Sequence, residues 1–308
     1  MPVLPACSCL SCPAHSRSEC SVYPSSMSDE QWVVVESVLP RPAWEVGPGR
    51  PEAHPRRRIL DAIFYLVAEG VRWRALPADF PPWQTVHGFF SRWRDDGTWQ
   101  RVHDSLRDQV RVQAGRAPLP TAGIIDSQSV KGAETVGRDR RGFDAGKKIN
   151  GTKRHIAVDT MGLLLAVIVT AANVQDRDGA APLLSLVRER FSTIQMVWAD
   201  GGYAGRLLLW ARNCLRLAVS VVKRNDDTRG FVVLPRRWVV ERTLGWLTRN
   251  RRLVRDYERL AATHEAMTLI AMTMLMSRRL ARTASSKSRE RLVTCTFVVP
   301  SGRGETAA

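Results

Sequence analysis

Apolar residues recur along this chain with two different periods, and the change of period divides it. From residue 29 to residue 112 the spacing is helical. Ser28, with Gln31 three places on, forms a capping-box start for a helix over 29–39. Five prolines and two glycines in 40–55 predict a loop. Ile59, Ile63, Leu66 and Val67 then mark one face of a helix over 56–70, which Gly70 is placed to cap. A short turn leads to a helix over 83–97, with Val86, Phe89, Phe90 and Trp93 facing inward and Arg92 and Arg94 outward. A third follows over 99–112. Three helices with a tight connection and exposed arginines predict a helix-turn-helix-like unit.

Beyond "GRAPLP" (115–120) the pattern shifts to short apolar runs of strand type alternating with helices. Strands are expected over 121–130, 153–160, 163–172, 195–200 and 217–224, the second and third joined as a hairpin at Met161-Gly162. Helices are expected over 176–190, 206–216, 236–249 and 264–279. This order predicts an α/β domain with a mixed sheet flanked by helices over 120–280, preceded by an all-α domain over 27–114. Residues 1–26 and 281–308 lack periodicity and are expected to be a disordered or extraneous leader and a disordered tail. Cys9, Cys12, His15 and Cys20 approach a zinc-knuckle spacing, but the histidine comes two residues early.

The most apolar run, 266–276, is too short to span a bilayer and reads as a buried helix. The start of the chain has no signal-peptide pattern. Of six cysteines, Cys214 stands alone in the long central region, so no disulfide framework holds the fold. A soluble, cytoplasmic, nucleoid-associated protein is expected.

The formal net charge is +16, a surplus that calls for a polyanionic partner such as nucleic acid. The segment "RWVVERTLGWLTRNRR" sets one carboxylate, Glu241, among Arg237, Arg242, Arg249, Arg251 and Arg252. "GKKINGTKRH" adds Lys147, Lys148, Lys153 and Arg154. With Arg92 and Arg94, these are the candidate contacts to double-stranded DNA. The planar guanidinium fork grips phosphate oxygens in pairs. The bland alternative for 249–255 is a solvated helix end favoured by the macrodipole.

Two aspartates follow buried-looking runs: Asp126 after Ile124-Ile125, and Asp200 after Val197-Trp198-Ala199. Both are expected where a strand meets its C-terminal loop, the edge at which open α/β sheets build sites. Each alone also reads as a cap or Asx-turn. At about 100° per residue, Glu241 lies on the shoulder of the stripe Val240, Leu244, Leu247, in line with Arg237, Thr248 and Arg252. From there it can lean over the strand ends. Three converging carboxylates repel one another and call for divalent metal. All-oxygen ligation suits Mg²⁺, with Mn²⁺ as substitute, and two such ions suit phosphodiester cleavage. Asp159, Asp176 and Asp178 read as structural, and no histidine is assigned to chemistry.

The blocks "IIDSQSVKG", "GKKINGTKRHIAVDTMGLLLAVIVTAANVQDRDGA", "VWADGGYAG" and "LPRRWVVERTLGWLTRNRRLVRDYE" resemble bacterial insertion-sequence transposases of the DDE type, in the group related to the fourth and fifth insertion-sequence families. The resemblance runs from about residue 27 to residue 279. It implies a ribonuclease-H-like catalytic domain whose metal-ligating triad is Asp126, Asp200 and Glu241. It also places the family's basic residue, four before the glutamate, at Arg237. Leu234 and Thr248 stand where the family commonly has Tyr and Lys, so that signature is incomplete.

The implied activity is metal-dependent cleavage at the element's ends, using two Mg²⁺ (or Mn²⁺), and transfer of the 3′-OH ends to target DNA. The helical domain would bind terminal inverted repeats, and a homodimer would pair the ends, with no membrane involved. Two other readings stand beside it: a structure-specific nuclease without strand transfer, and an inactive DNA-binding relic that represses its element.

Overall fold

The computed structural model describes residues 23–222 and 237–295, with 284–295 as helix backbone. Five helices come first: α1 (Asp29–Glu36), α2 (Ala43–Val46), α3 (Arg56–Glu69), α4 (Trp83–Asp95) and α5 (Thr98–Gln113). The capping box forms as expected, with the Gln31 amide donating to Ser28 Oγ at 3.2 Å and the Ser28 amide to Gln31 Oε1 at 3.1 Å. Gly70 ends α3 at φ 72°, a left-handed conformation that only glycine adopts without strain. The loop expected over 40–55 holds the single turn α2. Val86, Phe89, Phe90 and Trp93 are buried as the periodicity requires.

The second part runs β1 (Ala122–Lys131), β2 (Gly142–Asp144), β3 (Ile149–Asp159), β4 (Leu164–Ala171), α6 (Asp176–Arg190), β5 (Met196–Ala199), α7 (Arg206–Leu215) and β6 (Ala218–Val221). It closes with α8 (Trp238–Thr248), α9 (Arg251–Val254) and α10 (Ala261–Cys295). The sheet is mixed. β3 lies antiparallel to β1 on one side, with β4 and β2 sharing its other edge, while β5 and β6 extend the sheet parallel to β1.

Alternation along β1 serves two cores. Ile124 joins the larger cluster, under α8 and α10, while Ile125 joins the one beneath α6 and α7. An irregularity in the β3–β4 pairing inserts Leu165 between Ala166 and Leu164, which pair with Ala157 and Val158. The larger core is continuous from Met27 through Trp93 and Trp99 to Met276, because α10 packs against α1, α3, α5 and β4 together.

Several expectations need correcting. The strand expected over 121–130 forms as Ala122–Lys131, paired with β3 to its end, so Asp126 is mid-strand and not where the strand meets its C-terminal loop. The helix expected over 264–279 runs from Ala261 to Cys295, through residues assigned to a tail, because no proline or glycine interrupts it. Arg252 is not in line with Glu241, because the chain leaves α8 at Asn250 (φ −91°, ψ 114°) and Arg252 belongs to α9. The strand over 217–224 is shorter at Ala218–Val221, and β2 was not foreseen. The cysteine-bearing leader before residue 23 and Leu234 lie outside the described residues.

Candidate active site

The parallel pairing of β1 with β5 decides the first two carboxylates. Ala122 pairs with Met196 and Ile124 with Trp198, an offset of 196 − 122 = 74. The ladder ends at that second pair; Asp126 and Asp200 each lie two residues beyond it, close enough for the charge of Asp200 to act on Asp126. Asp200 begins the 3-10 turn Gly201–Tyr203. Its Oδ1 accepts from the Gly202 amide at 2.8 Å. Asp126 Oδ1 accepts from the amide of Ser127 at 2.7 Å.

Burial pushes the Asp126 carboxyl up to about 6, and the charge of Asp200 adds to the rise; Arg237 and Lys147 oppose it. Tyr203 is buried beside Asp126, Asp176 and Asp200, and burial followed by these charges pushes its hydroxyl far above the usual tyrosine range.

Glu241 approaches from α8, whose apolar stripe is Val239, Val240, Thr243, Leu244 and Leu247. Its side chain is half exposed and lies 3.4 Å from Arg237 Nε. The same guanidinium donates from Nη2 to Asp200 Oδ2 at 3.2 Å. Arg237 therefore ties the second aspartate to the glutamate. Among the described residues no three His, Cys, Asp or Glu side chains form a group that could hold a metal ion. The sequence pattern predicts that the three carboxylates converge on one point; instead they share a neighbourhood without converging.

In kind, the donors fit a hard divalent cation. They are all oxygen, burial and then the charge of Asp200 raise Asp126, and a cation, the guanidinium, already occupies the gap between Asp200 and Glu241.

The basic candidates separate by burial. Lys147 and Lys148 are exposed on the β2–β3 turn, and Lys147 lies close enough to Asp126 to lower it. Arg249 and Arg251 are exposed at the end of α8 and the start of α9, and Arg92 is exposed on α4 with its guanidinium over Phe89. Arg94 is half-buried and donates to Asp95 and Thr263.

Lys153, Arg154 and Arg252 are not on the surface. Lys153 Nζ donates to the Val174 carbonyl and Asp176, each at 2.8 Å, and lies 3.6 Å from Asp144. Arg154 is fully buried, donates to Gln128, and is pushed down by burial to about 10. Both follow from their position on β3, which has sheet on both sides. Arg252 pairs with Glu258 at 2.7 Å and donates to the Val71 carbonyl at 2.9 Å, pinning α9 to the end of α3. Arg242 stacks between Trp238 and Trp246, 4.4 and 4.7 Å from their ring centroids.

Three neighbours of the site were passed over. Asp176 was read only as a helix start, yet it binds Lys153 and lies near Tyr203. Tyr203 sat in view in "DGGYAG". Thr243 was hidden as a polar residue within an apolar stripe, which was the one signal available. No helix among the described residues is long and apolar enough to cross a membrane.

A family model described as "Transposase DDE domain" matches residues 117–276, and one described as "Putative transposase of IS4/5 family" matches residues 27–103. The chain is similar to the "Putative transposase for insertion sequence element IS402" of Burkholderia cepacia, 35% identical over 123 residues, covering 38% of this chain and 58% of that protein. It is also similar to the "Insertion element IS402 uncharacterized 16.2 kDa protein" of the same organism, 30% identical over 113 residues, covering 34% of this chain and 72% of that protein. The match thus spans little more than half the length of the first of these relatives.

Proposed function

This chain belongs to the transposase DDE domain family, and we propose that it cuts DNA at the ends of a bacterial insertion sequence and joins the freed 3′-OH ends to target DNA. The observation that carries the reading is the neighbourhood of Asp126, Asp200 and Glu241 around the Arg237 guanidinium. The order of the sheet supports a ribonuclease-H-like reading of the catalytic domain over 120–280: an antiparallel β4–β3–β1 set is continued by parallel β5 and β6. The helices of 27–114, with Arg92 exposed, form the helix-turn-helix-like domain that would bind terminal inverted repeats. A homodimer would pair the two ends, in the cytoplasm.

Asp126, Asp200 and Glu241 are the residues that would hold two Mg²⁺, or Mn²⁺. When bound, such ions supply charge that activates the attacking oxygen and stabilises the leaving one in an in-line displacement. The chain's own residues do the rest. Asp126 is fixed in mid-strand, so its carboxylate does not swing with a loop. Asp200 is oriented by the Gly202 amide. Arg237 neutralises Asp200 and Glu241. Lys147, Lys148, Arg249 and Arg251 are exposed where phosphates of the duplex would lie, and binding through them is salt-dependent.

The test is Asp200→Ala on DNA carrying an element end, with Mg²⁺ present. Loss of cleavage with DNA binding retained is expected; full activity would overturn the reading. Joining of a pre-cut 3′-OH end to plasmid DNA separates a transposase from a nuclease.

A further inference from the structure

Helix α8 carries Glu241, and its apolar stripe alone does not say how far the helix is rotated about its axis. Apolar packing is non-directional. Directional ties come from the turn between β3 and β4. Thr243, fully buried, donates from Oγ1 to the Gly162 carbonyl at 2.8 Å, and Arg242 donates from Nη2 to the Met161 carbonyl at 2.9 Å. The Thr243 hydroxyl also lies 3.1 Å from the Val239 carbonyl of its own helix, so its one proton is drawn to the nearer, cross-element oxygen.

The turn that receives these bonds is itself held rigidly. Asp159 is fully buried. Its Oδ1 accepts from the amides of Met161 at 2.9 Å and Leu163 at 2.8 Å, and its Oδ2 accepts from Arg111 of α5. Gly162 has φ 82°, and a Cβ there would come within 2.8 Å of Thr243 Oγ1. The missing side chain is what allows α8 to sit so close.

We propose that Thr243 is a positioning residue: through the Gly162 carbonyl it sets the rotation of α8, and so the reach of Glu241 toward Asp126 and Asp200. This rests on the functional reading above. Thr243 and Glu241 are two residues apart and point to roughly opposite sides of the helix. A change at the buried side therefore moves the exposed carboxylate. With side chains reaching about 5–6 Å from the axis, a rotation of ~20° displaces the carboxylate by about 2 Å. A misplacement of that size lowers a rate by roughly 100-fold where geometry governs the chemistry.

The experiment compares Thr243→Val, Thr243→Ser and Glu241→Ala in the full chain. Thr243→Val keeps the shape and removes the donor. It is expected to melt within a few degrees of the wild type and to bind end DNA normally. Its single-turnover cleavage should fall roughly 10- to 100-fold, and its Mn²⁺ affinity, read by the electron paramagnetic resonance of free Mn²⁺, should weaken several-fold. Thr243→Ser, which keeps the hydroxyl, should restore both. Should Thr243→Val not fold, Thr243→Ala carries the same comparison. Wild-type cleavage and Mn²⁺ affinity in the hydroxyl-less variant, beside an inactive Glu241→Ala, would overturn the proposal and leave the functional reading standing. Wild-type cleavage by Glu241→Ala would instead remove the functional reading, and with it the purpose of the seat.

Discussion

Asp126 and Asp200 each lie two residues past the Ile124–Trp198 pair at which the parallel ladder of β1 and β5 ends, and the charge of Asp200 reaches Asp126. Neither residue is brought there by a flexible loop. Asp126 is mid-strand, and Asp200 follows directly after Ala199, the last residue of β5. The cost of the arrangement shows in Asp126, whose carboxyl is held at about 6.

That shift makes the first prediction. A carboxyl raised above its unfolded value, ~3.9, adds stability that is fully present below that value and is lost as pH rises through the folded value of about 6. The charged form therefore strains the fold at neutral pH. Asp126→Asn, without divalent metal, is expected to be more stable than wild type at pH 7.5 by on the order of 1–3 kcal/mol, the two converging near pH 4. Denaturant titrations in chelator across this range measure it, and a difference independent of pH would refute the assignment.

Arg237 makes the second. Its guanidinium lies 3.2 Å from Asp200 and 3.4 Å from Glu241, partly exposed to water. Arg237→Ala should cost less than about 1 kcal/mol without metal, since solvent screens such pairs. It should also strengthen Mn²⁺ binding, because a competing cation is gone. Unchanged or weaker Mn²⁺ binding by calorimetry would show that the arginine does not compete.

Lys147 and Lys153 lie six residues apart and are expected to behave differently. Lys147→Ala should leave the melting temperature unchanged and reduce the salt slope of DNA binding by about 1, the signature of one lost phosphate contact. Lys153→Ala strips a buried ammonium from Asp176, the Val174 carbonyl and Asp144, and should destabilise the protein by roughly 3 kcal/mol. Equal salt slopes for Lys147→Ala and wild type would rule out the contact.

Gly162→Ala forces a left-handed backbone on an alanine and presses its Cβ against Thr243. A loss of about 2 kcal/mol is expected by thermal or chemical denaturation. A neutral effect would mean that the turn and α8 can part without cost.

Much of the fold was legible because period is a local property. The helical stripes of α3 and α4, the Ser28–Gln31 cap, the Gly70 terminus and the β3–β4 hairpin all depend on residues within a few places of one another. Extents were less legible. The strand expected over 217–224 ends at Val221, α10 runs past the expected 279 to Cys295, and the short strand β2 exists only as a partner of β3. The basic residues show the same limit. Lys153 and Arg154 look like Lys147 and Lys148 on the page, yet β1 and β4 enclose them and buried acceptors hold them.

By itself the sequence determined the order and type of the longer elements, the basic balance of the chain, and which carboxylates stand out against apolar surroundings. Tertiary structure alone decided that Asp126 and Asp200 come close to each other, that Arg237 stands between Asp200 and Glu241, and that Thr243 is seated on a turn 81 residues away in the chain. The reason is physical. Propensity and periodicity act over one or two turns of chain, whereas strand register, burial and charge pairing depend on what the rest of the molecule brings alongside.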